Sequence, residues 1–295
     1  MKIISVSAIA AISLVVFWVI TSAKTPEFSS FESYPGSLKN GEYVFNASGC
    51  ASCHSSPDST EADKLLLTGG RSFPSPFGTF YAPNISMDKA NGIGAWSEED
   101  FANAVLYGVS PEGKHYYPSF PYIAYANMTD QDIADLWVYF KSLPETSTLS
   151  IDHNLPIYAR WRRPLAFWKL LNKSESIKEA LSSDASIQRG AYLVETLGHC
   201  GECHTPRNLI GGLEYDYWLG GAKNLTGRGM VPNITSTKLS WNTEDIVEYL
   251  LSGFTPDFDV AGGHMVDVIE NTSKLTDEDR LAIAQYLKAI PGVQK

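Results

Sequence analysis

The sequence contains little cysteine and little positive charge, and both shortages restrict what the protein can be. Only four of its 295 residues are cysteines, and all four stand in two Cys-x-x-Cys-His groups. A structural disulfide framework would not place a histidine directly after each pair. Lys and Arg number 23 against 33 Asp and Glu, for a net charge of −10, which argues against a nucleic-acid-binding surface. The sequence also shows no glycine-rich phosphate loop and no Ser-His-Asp arrangement.

Long apolar runs are equally scarce, and the run that stands out lies at the N-terminus. Ile3 to Ile20 are 18 residues without a charge, preceded by Lys2. A membrane-spanning helix needs about 20 apolar residues, whereas the apolar part of a signal peptide has about 7–15. Because residues 21–23, Thr-Ser-Ala, are a poor cleavage site, we expect residues 1–23 to be a membrane anchor rather than a removed signal. Either alternative places the body in the periplasm, and the anchor would hold it at a bacterial inner membrane.

The two Cys-x-x-Cys-His groups indicate covalent haem attachment; they are Cys50, Cys53 and His54, and Cys200, Cys203 and His204. Two thiols one helical turn apart reach both vinyl groups of one porphyrin, and the adjacent histidine becomes the proximal iron ligand. A Cys-x-x-Cys pair alone could instead be half of a zinc site or a redox-active pair. A zinc site would pool both pairs, yet 146 residues separate them. The sequence therefore predicts two covalently bound haem c groups.

The body of the chain is one unit written twice. Both copies have a Gly-x-Tyr before the haem group, a Pro-Asn-Ile turn 29 or 28 residues after its histidine, and then a Trp and a Gly. These landmarks are Gly41, Tyr43, Pro83, Trp96 and Gly108 in the first copy, and Gly190, Tyr192, Pro232, Trp241 and Gly253 in the second. We therefore predict a tether over 24–38, a first domain over 39–145, a linker over 146–184 and a second domain over 185–295.

Each copy is expected to be helical. A small residue on its first helix, Gly41 or Gly190, would let the terminal helix cross close to it. Thr129 and Thr276 are the expected N-caps of the terminal helices, because acidic residues in the first turn suit the helix dipole. The repeated aromatic residues are expected to pack in the core. The predicted fold is all-α, with two tandem domains after an N-terminal transmembrane helix.

On these motifs, both copies resemble class I cytochrome c domains. The resemblance is carried by Cys-x-x-Cys-His, by Pro-Asn-Ile-Ser/Thr, by Trp-Ser-Glu-Glu-Asp at 96–100 and by Gly-Gly-His-Met at 262–265. The whole body resembles the membrane-anchored cytochrome c subunits of periplasmic alcohol, aldose and related dehydrogenases. Such a resemblance implies electron transfer from a dehydrogenase or a quinol donor towards a terminal oxidase or another acceptor. Those subunits usually have three haem domains, whereas this chain has two haem groups.

The sixth ligand of each iron is expected to differ between the copies. Met265 lies 12 residues after Gly253 and is the candidate ligand of the second haem, because Met is a common axial ligand. The equivalent position 12 residues after Gly108 holds Phe120, which cannot bind iron. For the first haem the candidates are His115 and Met128, another group, or an open or water-bound iron.

Two functions remain open at this stage. The first is an electron carrier with both haems in series and no chemistry on a substrate, and the sequence favours it. The alternative is a haem enzyme that acts on a small molecule at the first haem, which lacks the usual methionine. Arg207, which follows the second haem group, is expected to contact a haem propionate. The expected partners are redox proteins, namely a dehydrogenase, an oxidase or a quinol-cytochrome c reductase, together with the membrane and without nucleic acid.

Overall fold

The computed structural model describes residues 2–23, 34–173, 183–224 and 229–294. Within the predicted tether, residues 24–33 lie outside the described residues, as do residues 174–182 of the predicted linker. The described chain begins with helix α1 (Lys2–Ile20). The first repeat unit then consists of helices α2 (Leu38–Ala47), α3 (Cys50–His54), α4 (Glu98–Tyr107), α5 (Tyr122–Tyr125) and α6 (Asp130–Phe140), with strands β1 (Ser72–Ser75) and β2 (Gly78–Tyr81) after α3.

A connector with helix α7 (Leu165–Leu171) leads to the second repeat unit. This unit contains helices α8 (Ala185–Ala191), α9 (Gly201–His204), α10 (Thr243–Ser252), α11 (Met265–Thr272) and α12 (Asp277–Ala289), with strands β3 (Ala222–Lys223) and β4 (Met230–Val231) after α9. A π-helical turn, Tyr192–Leu197, continues α8 towards the second haem group. The order of elements is therefore the same in both units.

The close helix crossings expected from the glycines are confirmed. A Cβ atom on Gly41 would lie 2.0 Å from the carbonyl oxygen of Asp135 in α6. A Cβ atom on Gly190 would lie 2.0 Å from the carbonyl oxygen of Ala282 in α12. In each unit the first and last helices thus meet backbone to backbone, and the apolar core surrounds this crossing.

The expected caps of the terminal helices are confirmed as well. The hydroxyl of Thr129 accepts a hydrogen bond from the backbone N–H of Asp132, at 3.1 Å. The hydroxyl of Thr276 does the same for Asp279, at 3.2 Å. Each bond satisfies one of the N–H groups that a helix leaves unpaired at its start.

The all-α expectation needs a correction. Two short antiparallel hairpins accompany the helices, β1 with β2 and β3 with β4. Each lies in the segment between the haem-group helix and the Pro-Asn-Ile turn. The fold is mainly helical with these added strands, because Pro74, Gly78 and their neighbours favour a turn over a helix at this point.

The expectation of an N-terminal transmembrane helix is wrong. Across the described residues, no helix combines the length and the apolar character that crossing a membrane requires. A span needs about 20 apolar residues. Helix α1 has 19 residues, and these include Lys2, Ser5, Ser7 and Ser13.

The last turn of α1 instead contacts the protein body. The ring of Phe17 lies 5.7 Å from the ring of Trp161, between centroids. The guanidinium of Arg163 lies 3.2 Å from the centroid of Trp18 and donates to its carbonyl oxygen. The first half of the connector thus holds the end of α1.

The two units contact each other reciprocally. Tyr43 of the first unit donates a hydrogen bond to Asp279 of the second, at 2.5 Å. Tyr192 of the second unit donates to Asp132 of the first, at 2.6 Å. The same contact, made twice in opposite directions, relates the units by an approximate two-fold symmetry.

Candidate haem sites

His54, the predicted proximal ligand of the first unit, is held by a hydrogen bond that would suit an iron ligand. The Nδ1 atom of His54 lies 2.9 Å from the carbonyl oxygen of Pro83. Because a carbonyl oxygen only accepts hydrogen bonds, Nδ1 carries the proton and donates it to this bond. Burial lowers the pKa of His54, partly offset by this bond, so the imidazole is neutral at pH 7. A neutral ring with its proton on Nδ1 keeps the lone pair of Nε2 for a metal.

The second unit repeats this arrangement. The Nδ1 atom of His204 lies 2.8 Å from the carbonyl oxygen of Pro232, and burial lowers the pKa of His204. The backbone N–H of Gly221 donates to the carbonyl oxygen of His204, at 2.7 Å, as that of Gly69 does to His54 at 2.6 Å. The Pro-Asn-Ile turns therefore serve to orient the proximal histidines.

The side chains of Asn84 and Asn233 hold these turns in place. The Nδ2 atom of Asn84 donates to the carbonyl oxygens of Thr146 and Thr148, at 2.9 and 2.8 Å. The Nδ2 atom of Asn233 donates to the carbonyl oxygen of Val293, at 2.8 Å. In each unit the turn that orients the histidine is thus tied to the segment after the terminal helix.

All four cysteines are free thiols that remain accessible, since Cys50, Cys53 and Cys200 are half-buried and Cys203 is exposed. Burial raises the pKa of Cys50 and of Cys200 to about 12 each. Burial raises the pKa of Cys53 to about 11. The positive charge of Arg71 opposes this rise, and nearby Cys203 adds to it. The two free thiols of each pair leave both sulfur atoms available for the thioether bonds of a covalently attached haem.

The two helices that carry the Cys-x-x-Cys-His motifs, α3 and α9, lie at the same interface between the units. The Nδ2 atom of Asn271, in α11, donates to the hydroxyl of Ser52 within the first haem group, at 2.7 Å. Asp267 of α11 pairs with Arg71 of the first unit, at 2.7 Å. In the opposite direction, the ring of Tyr125 in α5 lies 5.5 Å from that of His199, beside the second haem group. The distal-side helix of each unit therefore packs against the attachment helix of the other.

The two predicted distal residues, Met265 and Phe120, both lie where the loop after Gly253 or Gly108 meets the next helix. Met265 begins α11 and is half-buried against the core. Phe120 ends the corresponding loop of the first unit and also packs against the core, with its ring 5.8 Å from that of Tyr125. The ring of Tyr116 lies perpendicular to that of Phe120, with the two centroids 6.2 Å apart. An aromatic cluster thus occupies the place where the second unit carries a thioether.

His115 is buried, and its described hydrogen bond is with the end of α1. No described contact joins His115 to the Cys-x-x-Cys-His motif of the first unit. Its Nε2 atom donates to the carbonyl oxygen of Thr21 at the end of α1, at 3.2 Å. Burial, and then the positive charges of Lys169 and Arg163, lower the pKa of His115, although the bond to Thr21 opposes them. Its Nδ1 atom has no hydrogen-bond partner among the described residues.

Met128 lies in the apolar core, directly before the cap of α6. Its backbone N–H donates to the carbonyl oxygen of Tyr125, at 2.8 Å. An apolar side chain before an N-cap packs back onto the helix, which suits this position without any metal. Neither His115 nor Met128 is brought to His54 by a contact that the structure describes.

Arg207 is held beside the second haem group. Its guanidinium pairs with Glu202, which stands between Cys200 and Cys203, and donates to the carbonyl oxygen of Gly211 at 2.8 Å. Its Nε atom is buried and has no hydrogen-bond partner among the described residues. The Nε–H group of Arg207 is therefore available as a hydrogen-bond donor at the place where Arg207 was expected to contact a haem propionate.

The sequence reasoning missed the cross-unit roles of Tyr43 and Tyr192, which had been expected only to pack in the core. A signal was present, because each Gly-x-Tyr recurs together with a Thr-x-x-Asp in the other unit. The pairing between units could not be read from that recurrence alone.

Comparison with known proteins agrees with this geometry. The cytochrome c family profile matches residues 38–144. A protein named "Diheme cytochrome c-type" from Cereibacter sphaeroides is 48% identical over 94% of this chain and 93% of its own length. The fructose dehydrogenase cytochrome subunit of Gluconobacter japonicus is 33% identical over 92% of this chain. The gluconate 2-dehydrogenase cytochrome c subunit of Pantoea cypripedii is 34% identical over 86% of it. The chain spans 56% and 59% of the lengths of these two subunits.

Proposed function

The chain belongs to the dihaem c-type cytochromes, and we propose that it passes electrons from a dehydrogenase, through two haems in series, to a terminal oxidase or another acceptor. It carries two covalently bound haem c groups and transfers electrons. Each haem, when bound, supplies a one-electron iron couple. The protein's own contribution is to hold, orient and shield these groups.

The attachment sites follow from the repeated geometry. Cys50 and Cys53 hold the first haem with His54 as its proximal ligand. Cys200 and Cys203 hold the second haem with His204 as its proximal ligand. The support is the shared arrangement in which each histidine binds a proline carbonyl through Nδ1. Arg207 completes the second site as a donor to a propionate, which would use its spare Nε.

Electrons run from the first haem to the second. Met265 would supply the sixth ligand of the second iron, and a thioether ligand raises the potential of a haem. Phe120 stands at the equivalent place in the first unit, so the first iron lacks this ligand and has the lower potential. Of the two remaining candidates, His115 would have to leave Thr21 and Met128 would have to leave the core. We therefore favour a first iron that is open or water-bound over ligation by either side chain.

The observation that carries the proposal is that both attachment helices lie at one interface. Asn271 links the second unit to the first haem group, and Tyr125 links the first unit to the second. Haems held at a common interface can exchange electrons within the chain. A carrier with an entry haem and an exit haem needs this arrangement.

The donor and the location rest on the relatives. Two of them are named as cytochrome subunits of a fructose and a gluconate dehydrogenase, which supports a dehydrogenase as the electron donor of this chain. The same likeness supports a periplasmic location for the two units. A haem enzyme at the first unit has no support among these relatives, whose names describe cytochromes.

Haem counting and redox titration of the full chain test the proposal. The unmodified protein should keep two haems on a denaturing gel stained for haem. The variant Cys200→Ala/Cys203→Ala and its matched counterpart Cys50→Ala/Cys53→Ala should each keep one. Two unequal midpoint potentials are expected, with the higher one lost in the Cys200→Ala/Cys203→Ala protein. A double variant that keeps both haems, or two equal potentials, would reject the assignment.

A further inference from the structure

The loop before the distal position has the same hairpin in both units. Val109 pairs with His115 in the first unit, and Phe254 pairs with Val260 in the second. The carbonyl oxygen of the C-capping glycine accepts a backbone bond in both, from Tyr116 to Gly108 at 2.7 Å and from Ala261 to Gly253 at 2.8 Å. The two hairpins can therefore be compared position by position.

In the first unit this hairpin is covered by other parts of the chain. Val109 and His115 are 4% and 6% exposed. The end of α1 contacts His115, and α7 places the ammonium of Lys169 on the carbonyl oxygens of Tyr107 and Gly108, at 2.5 and 2.9 Å. A cation on these carbonyls suits the negative end of the α4 dipole. The cover thus combines apolar contact with one positive charge at a helix C-terminus.

In the second unit the same hairpin is uncovered and apolar. Phe254, Val260 and Phe258 are 52%, 60% and 90% exposed. Among the described residues, no side-chain cation is bonded to the carbonyl oxygens of Ser252 and Gly253, the counterparts of the two that Lys169 binds. Contiguous apolar side chains that are exposed on a protein surface are typical of an interaction site.

The charge around this surface identifies the kind of occupant. From Gly253 to Val266 the chain carries Asp257 and Asp259, and neither Lys nor Arg. Asp257 and Asp259 are exposed beside Phe258. The helix dipole adds negative potential at the end of α10. An occupant that complements this face is apolar at its centre and basic around it.

We propose that the hairpin Phe254–Val260 is the docking surface for the protein electron acceptor, which presents a basic, apolar face as α7 does to the first unit. This inference rests on the proposed function and names the exit side of the chain. Met265 follows the hairpin directly, so a docked acceptor lies next to the second haem. One electron then passes from the reduced second haem to the oxidised acceptor, and no proton or group moves with it.

A stopped-flow measurement on the full chain, reduced with dithionite, tests the inference. The probe acceptor is an oxidised, basic single-haem cytochrome c, mixed at low ionic strength. The variant Phe258→Asn/Val260→Thr should lower the second-order rate constant about tenfold, because docking loses its apolar centre. Asn is chosen because Phe258 has φ 63°, a conformation that Asn tolerates. Asp257→Asn/Asp259→Asn should lower the rate several-fold and flatten its dependence on salt.

Matched controls lie away from the hairpin. Leu209 is fully exposed, and Leu209→Ser should leave the rate unchanged. Glu99 and Glu145 are exposed acidic residues of the first unit, and Glu99→Gln/Glu145→Gln should have no effect beyond its small change in net charge. Every variant should keep two haems and be reduced fully by dithionite.

The outcomes separate this inference from the proposed function. If the hairpin variants react as fast as the unmodified protein, the docking surface lies elsewhere while electron transfer stands. If the reduced, unmodified protein passes no electrons to the basic cytochrome, a basic partner is excluded. If Phe258→Asn/Val260→Thr turns a dimer into a monomer in light scattering, the surface joins two copies of the chain and the inference is overturned. Failure of the unmodified protein to take up electrons would instead reject the proposed function.

Discussion

The hydroxyl of Tyr43 lies 2.5 Å from Oδ2 of Asp279, although the two residues are 236 positions apart in sequence. The same hydroxyl accepts the backbone N–H of Thr276, at 3.2 Å, so one tyrosine of the first unit holds the start of α12 in the second. Arg189 binds both oxygens of the same carboxylate, with Nε 2.9 Å from Oδ1 and Nη2 2.6 Å from Oδ2. The carboxylate of Asp279 therefore links the two units through Tyr43 and also links α12 to α8 through Arg189.

Removing the tyrosine hydroxyls should weaken the contact between the units. Tyr43→Phe and Tyr192→Phe should each lower the free energy of unfolding by about 1.5–3 kcal/mol, the usual value of a hydrogen bond to a charged group. Tyr158→Phe is the control, because its side chain is 71% exposed. Urea unfolding, followed by tryptophan fluorescence and by the haem absorbance, measures the difference. Equal effects in all three variants would show that the hydroxyl contacts contribute nothing.

Acid should weaken the same contact. Burial would raise the pKa of Asp279, but the hydrogen bonds from Arg189 and Tyr43 and the charge of Arg189 outweigh it and hold the pKa below its usual value. A depressed carboxyl pKa stabilises the fold above the unfolded value of about 3.9, and this stabilisation is lost as pH falls through the folded value. Thermal unfolding from about pH 6 to about pH 2.5 should show a steeper acid loss in the unmodified protein than in Asp279→Asn. Asp257→Asn, at an exposed position, should keep the steeper loss.

The glycine crossings should tolerate no side chain. Gly41→Ala and Gly190→Ala would each press a methyl group to within 2.0 Å of a helix carbonyl oxygen. Overpacking of this kind should cost about 3 kcal/mol or more in unfolding free energy, since backbone must move. Gly262→Ala meets no atom within 4 Å and serves as the control, with an expected change of about 0.5 kcal/mol or less. A Gly41→Ala protein as stable as Gly262→Ala would mean that α2 and α6 can separate without penalty.

The two distal positions should respond in opposite directions. Met265→Ala should remove the sulfur-to-iron charge-transfer band of the ferric protein and lower the potential of the second haem by roughly 0.1–0.3 V, within the roughly 0.8 V range that axial ligands span. Phe120→Met offers a thioether at the equivalent place and should raise the potential of the first haem. Redox titration followed by absorbance measures both. Persistence of the charge-transfer band in Met265→Ala would mean that another methionine, such as Met128, binds an iron.

Much of each haem site could be predicted because its parts are close in sequence. The two cysteines and the histidine stand on one helical turn, so their spacing alone predicts attachment. Thr129 and Thr276 act as N-caps because a cap depends on residues three positions away. The spacing from His54 to Pro83 was visible, but the hydrogen bond that gives it meaning needed the folded chain.

The sequence by itself determined that this protein has two repeated units, two haem groups, and a methionine at only one of the two equivalent distal positions. These features follow from local spacing, which the covalent chain imposes. Only the tertiary structure decided that Tyr43 reaches Asp279, that His115 contacts Thr21, and that the hairpin at Phe258 is uncovered while its counterpart is buried. The physical reason is that such contacts depend on how whole helices pack. Two copies of one pattern acquire different neighbours, because α1 and α7 cover the hairpin of the first unit and leave that of the second exposed.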